Sequence, residues 1–265
     1  FTIMDKSEKI VEQGSFGAGL CVKHGVEAIT RGEEGDFGLQ INYINDNGDD
    51  QLYQEVMKIL LNEIPEIGNY SWELNIKTSL PLSQGFGMSG AGAVAAASSF
   101  QRALGISHEE TRRRSYLIAH SVERIRSTGL GDVTALSAGG VERRVAVGSP
   151  YSGLQLNSGP GKAEGWFEEM PIILAWKSET GKHTSNYIDN EEWKKKITAS
   201  GNKAMEVISK GKWDKNRWKE LIRSTQEFVI GSELIMDSKR NELLFKSNNL
   251  IKDCKLEEEV VALLC

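Results

Sequence analysis

The stretch "PLSQGFGMSGAGAVAAASSF", residues 81–100, places four glycines within eight positions and then runs into a series of small residues. Glycine lets the backbone enter left-handed conformations and approach a neighbour more closely than any Cβ allows. A helix that follows such a turn offers unpaired N–H groups and a positive dipole end, where an anion fits. On these residues alone two readings stay open: a cradle for a phosphate, or a tight turn into a close-packed helix with no ligand. Gly85, Gly87 and Gly90 satisfy the dinucleotide spacing G-x-G-x-x-G. The preceding "WELNIKT" nevertheless alternates Trp72, Leu74 and Ile76 with polar neighbours, whereas a doubly wound sheet needs a strand buried on both faces. No lysine follows the last glycine, so the Walker pattern fails as well.

The rest of the chain reads as mixed helix and strand. "GLCVKHGVEAIT" and "FGLQINYIN" alternate apolar residues between glycine and Asn-Asp-Asn-Gly breaks, for which an antiparallel sheet is the simplest account. "DQLYQEVMKILLNEI" follows the helical period, with Leu52, Val56, Ile59 and Leu60 on one face, and stops near Pro65. "SWELNIKTSL" is a further strand. The small-residue helix is expected from about Ala93 to Leu104. Ser107 and Glu110 form a capping-box pattern for a helix reaching about Ser127. "GGVERRVAVG" reads as a strand and "GSPYSGLQLNSGPGKAEGW" as the best domain boundary. An apolar strand, "PIILAW", and long helices from about Glu191 to Asn241 complete the expectation, which divides the chain into lobes 1–148 and 149–265.

Composition narrows the function. With 265 residues and a net charge of −5, the chain can bury a sizeable core but lacks the basic excess of a nucleic-acid binder. No apolar run approaches the roughly 18 residues of a spanning helix. Three cysteines, Cys21, Cys254 and Cys265, have no metal-ligand spacing and suit a reducing compartment, so the expectation is a cytoplasmic protein acting on small molecules, without nucleic-acid or membrane partners.

"PLSQGFGMSGAGAVAA" closely resembles the phosphate-binding loop of the GHMP kinases, the superfamily of galactokinase, homoserine kinase and mevalonate kinase. Pro81, Gly85, Phe86, Gly87, Ser89, Gly90 and Ala91 occupy its pattern. Three further stretches, "AHSVERIRSTGLGDV" at 119–133, "GSFGAGL" at 14–20 and "GGVERR" at 139–144, are similar to motifs of the archaeal pantoate-kinase-type branch, in the same order. Around "TGKHTSNYI" the likeness is loose. The resemblance implies an α+β, two-lobed fold with antiparallel and mixed sheets packed against helices, and an ATP loop at a helix N-terminus. It further implies that Pro81, Gly85, Phe86, Gly87, Met88, Ser89, Gly90, Ala91 and Gly92 surround the ATP phosphates. Ser89 and Glu123 would hold Mg2+, and Asp132 would act as catalytic base or orient the acceptor hydroxyl. Ser15, Ser89, His120, Arg124 and Arg144 would bind the acceptor. Without the resemblance, Glu123 reads as a surface residue paired with an arginine, Asp132 as an ordinary loop aspartate, and His120 as a satisfied core histidine. Arg143, next to Arg144 on a strand, is expected to point the other way.

Two arginines stand where the branch has an acidic region, and Leu136 replaces a usual glutamine. Arg124 and Arg126 either complement a helix C-terminus or, as the sharper reading, bind a phosphate already on the acceptor. The main expectation is therefore a kinase of mevalonate 3-phosphate. Pantoate is the alternative acceptor, a related decarboxylase a more distant one, and a non-catalytic binding module the reading from another class. A homodimer is the family expectation. No glycine follows Gly231, so the usual C-terminal glycine- or serine-rich segment has diverged or is absent, and both terminal strands are expected to be missing from the chain as given.

Overall fold

A computed structural model describes residues 1–4, 7–45, 48–177, 190–258 and 260–263. Strands β1 (Gly17–Leu20), β2 (Val26–Glu34) and β3 (Gly38–Tyr43) are followed by helix α1 (Asp50–Glu63) and strand β4 (Tyr70–Thr78). Helices α2 (Met88–Ala103), α3 (His108–Ile125) and α4 (Asp132–Ala138) come next. Strands β5 (Val141–Ala146), β6 (Tyr151–Ser152), β7 (Asn157–Ser158) and β8 (Lys162–Trp166) then lead to helices α5 (Glu191–Ile208), α6 (Trp218–Gly231) and α7 (Ser238–Asp253). The fold is α+β.

One sheet has the order β2-β4-β3. β2 and β4 are antiparallel and β3 and β4 parallel, so β2 and β3, the two stretches expected to form an antiparallel sheet, lie on either side of β4 and do not pair. A parallel pair needs a long crossover, and α1 supplies it between β3 and β4. The alternation of β4 buries Trp72, Leu74 and Ile76 against Leu52, Val56 and Leu60 of α1 and Ala93, Ala96, Ala97 and Phe100 of α2. Phe100 is fully buried and meets the Trp72 ring edge-on at 5.3 Å. Small side chains bring α2 close to its neighbours: a Cβ at Gly92 would lie 2.9 Å from the Tyr53 hydroxyl.

The second sheet, β1-β5-β8, is antiparallel. Its strands alternate up to a register shift between Arg144 and Ala146. Phe16, Ala18, Val141 and Trp166 lie in a core with Met205 and Ile208 of α5, Trp213, and Leu221 and Trp218 of α6. The intervening residues turn the other way, towards α4. The expected boundary after residue 148 thus falls between β5 and β8, which are hydrogen-bonded neighbours. "PIILAW" is not a strand: residues 171–176 are irregular, with Ile173 exposed, because no sheet edge receives them. "TGKHTSNYI" lies outside the described residues.

Candidate active site

Helix α2 starts at Met88, five residues before the expected Ala93, so Gly90, Ala91 and Gly92 belong to the helix and only Gly85 and Gly87 to the turn that Pro81 opens. Glycine's low helix propensity hides this start in the sequence, and packing overrides it. Gly85 and Gly87 have φ of 84° and 64°, in the left-handed region that favours glycine. Gly87 is the N-cap and has no side chain, so the first-turn amides of Met88, Ser89 and Gly90 receive no side-chain cap, whereas Asp49 and Ser107 cap α1 and α3. The Ala91 N–H already donates to the Gly87 carbonyl at 3.1 Å, and Gly92 faces Tyr53, so its smallness serves packing. Phe86 stands in the turn, its ring edge-on to Trp176 at 5.8 Å.

Glu123 approaches the head of α2 from α3. Its buried side chain accepts hydrogen bonds at Oε1 from Ser89 Oγ at 2.6 Å and Thr128 Oγ1 at 2.8 Å, and its Oε2 is buried without a partner. Thr128 reaches back because α3 ends in a left-handed residue. Ser127 has φ 52°, and the Thr128 N–H donates to the Glu123 carbonyl, the six-to-one bond of a Schellman turn. The turn lays "TGLGD" against the end of α3. Asp132, the first residue of α4, closes the group: a Cβ at Gly87 would lie 3.6 Å from its carboxyl carbon, and one at Gly129 would lie 3.2 Å from its Oδ2 and 1.8 Å from Glu123 Oε2. Burial, with Asp132 beside it, raises the Glu123 pKa, and burial raises that of Asp132 against the pull of Arg144.

An all-oxygen set with one orphaned carboxylate oxygen suits a hard cation such as Mg2+ that takes its remaining ligands from phosphate and water. Among the described residues no cluster of three or more histidine, cysteine or acidic side chains could hold a metal unaided. The residues present fit an ion shared with a nucleotide.

Residues 51–140 match the GHMP kinases N terminal domain. The chain carries a GHMP kinase N-terminal domain over those residues. A pantoate kinase of Methanocaldococcus jannaschii is 24% identical over 235 residues, spanning 89% of this chain and 77% of its own length. A pantoate kinase of Thermococcus kodakarensis is 27% identical over 214 residues, spanning 77% of this chain and 64% of that relative. Among solved structures, a phosphotransferase related to the CoA biosynthesis pathway superposes with a TM-score of 0.71 at 21% identity, covering 94% of this chain and 77% of its own. A mevalonate kinase superposes with a TM-score of 0.55 at 12% identity, covering 94% and 82%. These superpositions carry the fold.

Ser15 and Arg144 flank Gly131, just before Asp132. A Cβ at Gly131 would lie 2.4 Å from Ser15 Oγ and 2.9 Å from Arg144 Nε. Arg144 is buried, donates weakly to the Gly131 carbonyl at 3.4 Å and pairs with Glu142 at 3.2 Å, while its Nε has no partner. Ser89, Glu123, Asp132, Ser15 and Arg144 therefore form one connected group. Arg143 points to the opposite face, as expected, donating to the carbonyls of Ile208 and Gly211 at the end of α5.

His120 and Arg124 stand apart from this group. The buried His120 ring donates from Nε2 to the Ile10 carbonyl at 3.1 Å, and burial lowers its pKa to about 4. Arg124 donates to Gln13 Oε1 and to the Gly129 carbonyl, holding the back of the Gly129 turn. Arg126 pairs with Asp49 at 2.7 Å and so ties α3 to the N-cap of α1. Glu142 is the residue that the sequence reading missed. Its signal was present: Gly17-x-Gly19 on β1 is the cross-strand complement of Glu142-x-Arg144 on β5.

Proposed function

We propose that this protein transfers the γ-phosphoryl group of ATP to a hydroxyl of a small hydroxy acid, and that the acid is pantoate. The position of Asp132 carries the reading: it lies between the uncapped head of α2, which suits phosphates, and Arg144, whose guanidinium fork suits a carboxylate. Such transfer asks a protein to position the partners and to stabilise charge. The first-turn amides of α2 would receive phosphate oxygens. Ser89 and Glu123 would hold Mg2+, which when bound neutralises charge on the transferring group. Asp132 would orient the acceptor hydroxyl and accept its proton, a role suited by a carboxyl whose pKa is raised. Ser15 and Arg144 would fix the acid.

The two relatives described as pantoate kinase support pantoate over mevalonate 3-phosphate. The residues agree, since Arg126 is engaged by Asp49 and Arg124 by the Gly129 turn, leaving the phosphate reading of these two arginines without support. An ATP-consumption assay with Mg2+, run in parallel on pantoate, mevalonate, mevalonate 3-phosphate and mevalonate 5-phosphate, tests the assignment. Turnover with pantoate is expected. Turnover with mevalonate 3-phosphate alone would overturn it, and ATP binding without turnover of any acid would favour a binding module.

A further inference from the structure

Glu142 is the most deeply buried acidic side chain beside the acceptor region, and the function proposed above does not use it. It is 1% exposed, its Oε1 lies 3.2 Å from Arg144 Nη1, and its Oε2 is buried with no partner. Glycine lies opposite it on both sides, Gly19 on β1 and Gly165 on β8, while Gly17 and Ala163 lie opposite Arg144. The acid and the arginine therefore have no cross-strand partner larger than alanine, and the Arg144 side chain itself lies over Gly17. The charged and titratable side chains facing Glu142 are Arg144 on the same strand, Asp132 at the head of α4, and Cys21.

Asp132 and Glu142 already outnumber the single guanidinium. An acceptor carboxylate reaching Arg144 brings a third negative charge to one cation in a site shielded from water, where repulsion is strong. Glu123, which with Ser89 would hold Mg2+, approaches Asp132 from the α2 side, away from Arg144, and would not relieve this. The charge excess is removed when Glu142 takes a proton from solvent, which converts its orphaned oxygen from an acceptor into a donor.

We propose that Glu142 is the resting counter-ion of Arg144, displaced by the acceptor carboxylate and protonated from solvent as the acid binds. It is a specificity and positioning residue, and it makes acid affinity, but not ATP affinity, depend on pH. Burial raises its pKa, which supports the exchange.

The inference rests on the hydroxy-acid reading, and the test separates the two. KM values for pantoate and for ATP are measured from about pH 6 to about pH 9 on wild type and Glu142→Gln. In the wild type, KM for pantoate is expected to rise by up to about tenfold per pH unit in the alkaline range, the slope of one coupled proton, with KM for ATP flat. Glu142→Gln keeps the size and supplies a donor, so its KM for pantoate should be low and independent of pH. Calorimetric titration of wild type with pantoate in two buffers of different ionisation enthalpy needs no variant and should show proton uptake. A KM raised at every pH in Glu142→Gln would make Glu142 only a support for Arg144 and overturn the proposal, as would buffer-independent binding heat. Absence of turnover with every hydroxy acid would remove the functional reading and this inference with it.

Discussion

The Oε2 atom of Glu123 occupies the space that a side chain at Gly129 would need. Gly129→Ala puts a methyl group 1.8 Å from that atom, so the carboxylate must move from between Ser89 and Asp132. A displacement of this size should lower kcat roughly 100-fold, with the melting temperature little changed, measured by coupled assay and calorimetry. Asp132→Asn should reduce transfer by about 10³-fold and leave nucleotide binding intact. Equal loss of both would count against its role as base. His120 makes a prediction of another kind. Its pKa falls from 6.5 to about 4 on folding, so the folded state resists protonation, and the stability this gives is complete above 6.5 and lost as pH falls towards 4. The loss amounts to at most about 3 kcal/mol. The buried carboxylates, with raised values, act in the opposite direction. Denaturant unfolding of wild type and His120→Gln at neutral and mildly acid pH isolates the histidine, and the variant should be the less sensitive to acid. Ser89, Glu123 and Asp132 were expected together only through the family resemblance of their motifs, and the fold does bring them together. Glu142 was not expected with them, because one of the two glycines opposite it, Gly19, lies more than a hundred residues away on β1.

Two helix ends decide where the site's elements lie. α3 stops in a Schellman turn built on Ser127, a non-glycine residue in the left-handed region. Ser127→Gly should relieve that conformation and gain up to about 1 kcal/mol without altering activity, as read from denaturant midpoints. α5 stops against Arg143, whose buried guanidinium donates to the Ile208 and Gly211 carbonyls. Arg143→Met should cost roughly 2–3 kcal/mol while leaving turnover per folded molecule unchanged. Periodicity found α1, β4 and α3, since each has one buried face, and the capping pattern of Ser107 placed the start of α3; β5, buried on both faces over Val141–Arg144, was bounded by its flanking glycines. It misplaced the start of α2, where glycines fall inside the helix, and could not show that β4 inserts between β2 and β3. Pairing direction depends on the path of α1, which alternation along a strand does not encode. "PIILAW" misled for a related reason: apolar composition suits a strand, but a strand also needs an edge to pair with.

At the scale of the molecule, residues on both sides of position 148 share a sheet and two cores. Val141 packs with Met205 and Ile208, Leu130 with Ile197 and Val229, and Trp213 donates from its indole to the Val141 carbonyl at 2.9 Å. A fragment of residues 1–148 should keep protected amides in β2, β4 and α1–α3, whose core is self-contained, while those of β1 and β5 exchange freely. Uniform protection by hydrogen exchange would show that the first lobe is autonomous. The position of β5 also bears on when the site can exist. It lies between β1, from the beginning of the chain, and β8, so Arg144 has both flanking strands only after two widely separated segments have met across long loops, a slow step in folding. As the chain leaves the ribosome, the sheet under the α2 head can form while the acceptor slot is still open on one side. A nascent protein of this kind should acquire its nucleotide cradle before its means of selecting an acid, and pulse-labelled chains stalled before β8 should retain ATP but not the acceptor.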